Sequence, residues 1–185
     1  MPIRNIQNSF RNKNLLFIDI ETTGLDISKH EIIEIAAILV NTKNMKVISR
    51  FVIKVKADNI KIADPRALKI TGYNNKEWKK AASLREALIK LSDFGKDAIL
   101  IGWNIASDWS FLGRDYYKLK IEPEFDYHKL DAMSIAYAKL IGDDKYNHMR
   151  LVKVGPLLGF KSWKIHSALD DVTVTYKVFK KLMEL

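Results

Sequence analysis

Asp19 and Glu21 lie two residues apart in Asp19-Ile20-Glu21-Thr22-Thr23-Gly24-Leu25, at the end of an apolar run and just before a sharp turn. Side chains alternate across a β-strand, so both acids share one face while Ile18 and Ile20 take the other. Two carboxylates on one face repel, and a site that tolerates them usually holds a cation. Hard carboxylate oxygens suit Mg²⁺ or Mn²⁺ rather than zinc. Such a site calls for partner carboxylates from elsewhere in the chain.

Two other stretches offer them. Asp108 ends Gly102-Trp103-Asn104-Ile105-Ala106-Ser107-Asp108, where a strand gives way to a helix. An aspartate in a helix's first turn also serves as a cap or dipole partner, and that reading competes. His166-Ser167-Ala168-Leu169-Asp170-Asp171 opens the final helix. His166, just outside the helix, and Asp171, in its first turns, can project from that end into one cleft. Ser167 and Asp170 are three residues apart, the spacing of a capping pair, so Asp170 can cap the helix while Asp171 binds metal; spacing alone leaves this open.

The positioning elements are legible from periodicity. Leu15 to Ile20 and Glu31 to Val40 read as strands separated by a glycine-containing turn, the second almost continuously apolar and therefore central. Glu34 interrupts it and reads as an incidental edge or hydrogen-bonded position. Arg50 to Lys56 alternates as a half-exposed strand, which completes an antiparallel meander. Helix begins near Pro65, and Ser83 with Glu86 is a capping-box signature ahead of Leu84, Leu88 and Leu91. Ala98 to Trp103 returns to strand. Asp108 to Leu119 carries a helical stripe of Trp109, Leu112, Tyr116 and Leu119; Leu130, Met133, Tyr137 and Leu140 form another, preceded by a strand around Phe125. The last helix places Ala168, Val172, Tyr176, Phe179 and Met183 on one face. Strands in a meander followed by alternating helix and strand predict an α/β fold, a mixed five-stranded sheet flanked by helices.

The 185 residues fit one domain, spanning 14–185, behind a polar N-terminal segment at 1–13, and 48% hydrophobic residues supply a full core. No long apolar run and no signal-peptide pattern appear, which predicts a soluble, cytoplasmic protein without membrane contact. The absence of cysteine excludes disulfides, zinc–thiolate sites and thiol catalysis. Lysine and arginine total 31 against 22 acids, a formal charge of +9 that favours a polyanionic partner such as nucleic acid. Basic clusters occur at Lys76, Lys79 and Lys80 and at Lys161 and Lys164, whereas Lys177, Lys180 and Lys181 read as a solvated helix face.

Together the three acidic stretches resemble the DEDDh class of 3′→5′ exonucleases, which includes the proofreading subunit of bacterial replicative polymerase, RNase T and oligoribonuclease. The family's motifs are DxE, an Asn with an Asp four residues on, and HxAxxD. Asp19 and Glu21, Asn104 and Asp108, and His166, Ala168 and Asp171 match them in that order. The register of the third motif selects Asp171 over Asp170. Trp103 and Ser107 depart from the second motif, where His commonly precedes the Asn and Phe the Asp. Trp103 reads as a core aromatic, with base stacking as the competing role.

The resemblance implies a ribonuclease H-like fold and a single exonuclease domain. It implies that Asp19, Glu21, Asp108 and Asp171 hold two divalent cations, Mg²⁺ with Mn²⁺ as substitute, one activating water and the other stabilising the leaving 3′ oxygen. His166 is then the general base. Thr22, Thr23, Leu25 and Asn104 become candidates for contact with the terminal nucleotide, although Gly24 and the threonines also suit a simple turn. Substrates are 3′ ends of single-stranded or frayed DNA or RNA, with DNA slightly favoured by the Thr-Thr-Gly form and a polymerase or repair partner a candidate. An exoribonuclease and an inactive nucleic-acid-binding module are the alternatives.

Overall fold

The computed structural model describes residues 10–160, 163 and 167–185. Leu15–Thr22 (β1), Ile32–Asn41 (β2) and Lys46–Lys54 (β3) form an antiparallel meander. Ile99–Gly102 (β4) adds to the other side of β1 in parallel, and Lys129–Asp131 (β5) adds in parallel to β4. The sheet order is β3-β2-β1-β4-β5. Crossovers run through Pro65–Thr71 (α1), Leu84–Phe94 (α2) and Ile105–Leu119 (α3), followed by Ala132–Leu140 (α4), Leu151–Leu157 (α5) and Ala168–Leu182 (α6). This is the expected mixed five-stranded sheet flanked by helices.

Alternation along β1 divides the molecule. Leu16 and Ile18 point into a core shared with Leu88 and Leu91 of α2 and Phe111 and Leu112 of α3. Leu15 and Phe17 point the other way, into a core shared with Ala132 of α4 and Ala168, Val172 and Phe179 of α6. Phe17 is wholly buried and meets Tyr176 and Phe179 edge-on at ring distances of 5.4 and 5.3 Å. That arrangement suits the quadrupoles of the three rings and sets α6 across β1. A third cluster, including Val154 of α5 and Val174 and Val178 of α6, fastens α5 to the same helix.

Local signals explain most element boundaries. Asp64 caps α1 by accepting the Arg66 N–H, with Pro65 at the first helical position. The Ser83 hydroxyl accepts the Glu86 N–H at 3.2 Å, as its spacing predicts, although Glu86 itself turns to Lys90. The exposed lysines Lys177, Lys180 and Lys181 line the outer face of α6.

Several boundaries differ from expectation. β3 begins at Lys46 because Val47 and Ser49 continue its alternation on the inner side. No strand forms at Phe125; its ring packs against Tyr116, and Asp126 makes a local turn by accepting the His128 N–H at 2.8 Å, so pairing starts only at Lys129. Leu130 therefore belongs to β5 rather than to a helical stripe. The buried side of α4 is Ala132, which joins the sheet core, and Ala136 and Leu140, which pack against α5 and α6, while Tyr137 is exposed. On α6 the terminal buried residue is Leu182, and Met183 faces solvent. Of the polar N-terminal segment, Phe10–Asn12 forms a short 3-10 helix and Lys13 pairs with Asp126. Among the described residues no helix is long and apolar enough to cross a membrane.

Candidate active site

Asp19 and Glu21 follow Phe17 on the α6 side of β1, the first two residues beyond the point where the apolar core stops. α6 starts beside them because Phe17 holds its middle, so its first turn presents Asp171 to the pair. One carboxylate oxygen each from Asp19, Glu21 and Asp171 lie within 4.8 Å of one another. Asp108 arrives from the opposite face. β4 runs parallel to β1, ends at Gly102, and hands over to α3, whose first turn carries Asp108. Its carboxylate accepts the Ile20 N–H, the backbone donor between the two strand acids, at 3.1 Å.

Repulsion and burial dominate the electrostatics. Burial, then Asp108, Glu21, Asp171 and Glu34, hold Asp19 well above the usual carboxylate range. Burial, then Asp171, Glu34 and Asp108, push Glu21 up to about 8. Asp108 is buried, which raises it to about 7 against the opposing effect of the Ile20 N–H bond, with Asp131 adding repulsion. Oxygen-only donors gathered at this separation, whose carboxylates repel one another, fit a hard divalent cation.

The turn after β1 is built tightly. Thr23 is fully buried; its hydroxyl accepts the Glu31 N–H at 2.9 Å and its own N–H donates to the Glu31 carbonyl at 2.9 Å. The Thr22 hydroxyl donates to the Gly24 carbonyl at 2.7 Å. Both threonines thus help to build the turn. A β-carbon on Gly24 would lie 2.4 Å from the His30 ring, so only glycine fits against that imidazole. His30 Nδ1 accepts the Asp26 N–H at 2.9 Å. From α3, Arg114 grips Asp115 with two bonds of 2.7 and 2.8 Å and donates to the carbonyls of Ile27 and His30. The fastened turn leaves Leu25 at its tip, 89% exposed.

The remaining expected site residues sit as follows. Asn104 is exposed in the left-handed conformation that begins α3, a geometry asparagine tolerates, and its N–H donates to Asp131 at 2.8 Å. Asp171 joins the acidic group, and Asp170 is not part of it. Ser167 begins α6 without a side-chain capping bond. The Trp103 ring packs in the second and third cores and its N–H donates to the Met149 carbonyl at 3.0 Å, which agrees with a core aromatic. His166, Lys161 and Lys164 lie outside the described residues.

Two residues at the site, Asp131 and Trp163, were not singled out from sequence, and Glu34, read as an incidental edge or hydrogen-bonded position, bears on the acids directly. Glu34 stands directly opposite Glu21 in the β1–β2 ladder and raises both strand acids, rather than occupying an incidental position. Its signal was available: an acid within an apolar central strand, resolved once hairpin register is known. Asp131 caps α4, receives the Asn104 N–H and pushes Asp108 up. Trp163 donates its indole N–H to Asp171 at 2.6 Å; nothing in spacing points to that contact.

A protein-family model described as RNase T exonuclease matches residues 16–179. The chain is 29% identical to the PolC-type DNA polymerase III of Thermotoga petrophila over 99% of its own length, but spans only 13% of that polymerase. It is 26% identical to the DNA polymerase III epsilon subunit of Aquifex aeolicus, covering 97% of this chain and 85% of that one. An oligoribonuclease of Yersinia pseudotuberculosis is 28% identical, with 86% and 87% covered. Among solved structures, E. coli exonuclease I in complex with a dT13 oligonucleotide superposes with a TM-score of 0.79 at 20% identity, over 93% of this chain and 41% of that one. That likeness extends to the ribonuclease H-like fold. With most of its length matched and three acidic motifs in family order, this chain belongs to the RNase T family of exonucleases, of the DEDDh type.

Proposed function

We propose that this protein is a divalent-metal-dependent 3′→5′ exonuclease that releases nucleoside 5′-monophosphates from 3′ ends of single-stranded or frayed nucleic acid, with DNA slightly favoured over RNA. The convergence of Asp19, Glu21 and Asp171 within 4.8 Å carries the reading, supported by Asp108 hydrogen-bonded to the backbone between the strand acids. The four carboxylates would hold two cations, Mg²⁺ or Mn²⁺. When bound, such ions supply an activated water and charge stabilisation at the leaving 3′ oxygen. His166, next to α6 in sequence, takes the proton from that water. Leu25, exposed on a turn that Arg114 and His30 hold still, wedges against the terminal base, and Asn104 faces the same end of the sheet. Thr22 and Thr23 shape the turn that presents Leu25.

Relatives named as DNA polymerase III chains, and a fold neighbour crystallised with a DNA oligonucleotide, support DNA and a polymerase-type partner. The oligoribonuclease match sustains the RNA reading. Incubation with 5′-labelled single-stranded DNA and RNA, with Mg²⁺ or chelator, distinguishes them. A metal-dependent ladder shortening from the 3′ end, faster on DNA, is expected. Faster RNA trimming reverses the sugar preference. Intact substrate with every metal refutes the enzyme and favours a binding module.

A further inference from the structure

Trp163 has no part in the chemistry above, yet it touches the acidic group directly. Its indole N–H donates to an oxygen of Asp171 at 2.6 Å, short for a nitrogen donor. The ring belongs to the core between α5 and α6. Gly155 on α5 makes room for it: a β-carbon there would stand 2.9 Å from the ring and 3.6 Å from Val174 of α6. A half-buried indole lodged in a slot that only glycine leaves open has little freedom to turn. Indole is a donor only, so it cannot itself ligate a cation or exchange donor and acceptor roles. A carboxylate with one oxygen held by such a donor has its plane and torsion set, which aims its ligating lone pairs.

We infer that Trp163 is a positioning residue for metal binding. Its N–H holds Asp171 in the orientation that brings it to Asp19 and Glu21, and it ties cation affinity to the packing of α5 on α6. The inference rests on the proposed role of Asp171 as a metal ligand. Outer hydrogen-bond partners of ligating groups typically govern affinity by 10- to 100-fold.

The test compares Mn²⁺ binding by isothermal titration calorimetry in the wild type and in Trp163→Phe, which keeps a ring in the slot and removes the donor. The variant's dissociation constant should rise about 10- to 100-fold, as should the Mg²⁺ concentration for half-maximal cleavage. Turnover at saturating Mg²⁺, KM for the oligonucleotide and the melting temperature in chelator should stay close to wild type. Gly155→Ala, which crowds the indole, should weaken Mn²⁺ similarly, and the double variant should add little. In the wild type, the Trp163 indole N–H proton resonance should remain downfield and protected from exchange when Mg²⁺ is added, a measurement that needs no variant to fold. Mn²⁺ binding that is unchanged or tighter in Trp163→Phe, or an indole proton released by Mg²⁺, overturns the inference while leaving the exonuclease reading intact. A wild type that binds no Mn²⁺ removes both.

Discussion

Replacing Glu21 by Gln should stabilise the metal-free protein at alkaline pH while abolishing its activity. Glu21 is raised from 4.5 to about 8, first by burial and then by Asp171, Glu34 and Asp108. At about 1.36 kcal/mol for each tenfold change in proton affinity, that rise bounds the cost of ionising Glu21 in the folded state at about 5 kcal/mol. Solvent reaching the half-buried carboxylate brings the expected cost to about 2 kcal/mol. The sign follows from linkage: the folded pKa lies above the unfolded one, so the associated stability is fully present below pH 4.5 and is lost as pH climbs through about 8. Glu21→Gln carries no such charge and escapes the loss. In chelator at pH 9 the variant should therefore melt roughly 4 to 8 °C above wild type, given about 2 to 4 °C per kcal/mol at this chain length. Near pH 4.5 the two curves should meet. Saturating Mg²⁺ should raise the wild-type midpoint more than the variant's, because the cation offsets the same repulsion and binds only the folded site. Melting monitored by circular dichroism across this pH range is sufficient. A variant no more stable than wild type at pH 9, or equally stabilised at pH 4.5, would show that repulsion at Glu21 is not what the site must overcome.

Asp171→Ala should abolish oligonucleotide trimming, whereas Asp170→Ala should retain it; a dead Asp170 variant would move the third motif's register by one residue. His166→Ala should lower the rate about 10²- to 10⁴-fold, the usual range for a general base, and an unchanged rate in single-turnover assays removes it from the reaction. Gly24→Ala places a methyl 2.4 Å from the His30 ring, so a loss of roughly 1 to 3 kcal/mol by denaturant unfolding is expected, with a raised KM from the displaced Leu25. Phe17→Ala should cost about 3 to 5 kcal/mol, since the ring is wholly buried against Tyr176 and Phe179 and its loss leaves a cavity under α6.

Strand alternation carried the first motif correctly: Asp19 and Glu21 share the face of Phe17, and Ile18 and Ile20 take the other. Local rules of the same kind located the Ser83 cap, the α1 start and the interior of β2. What they missed depends on pairing between distant segments. The position of Glu34 follows from hairpin register, which a turn of nine residues between Thr22 and Ile32 leaves undetermined by spacing. β5 has only three residues, too few for alternation to identify a strand, so its place comes from the edge of β4 and from the Asp126 turn that delays it. Of the stripe read for α4 only Leu140 is buried, because Ala132 and Ala136, rather than Met133 and Tyr137, complete its buried side. The link between Trp163 and Asp171 requires knowing that Gly155 leaves a slot between two helices, which no single segment records.

The order in which the acids occur along the chain has a consequence for folding. Asp19 lies on the first strand, Asp108 beyond the midpoint and Asp171 on α6, the final helix of the fold. A chain emerging from synthesis can build the meander and seat α3, yet it lacks the third carboxylate of the cluster until α6 docks over Phe17. On the roles proposed for these carboxylates, hydrolysis is therefore a property of the finished fold.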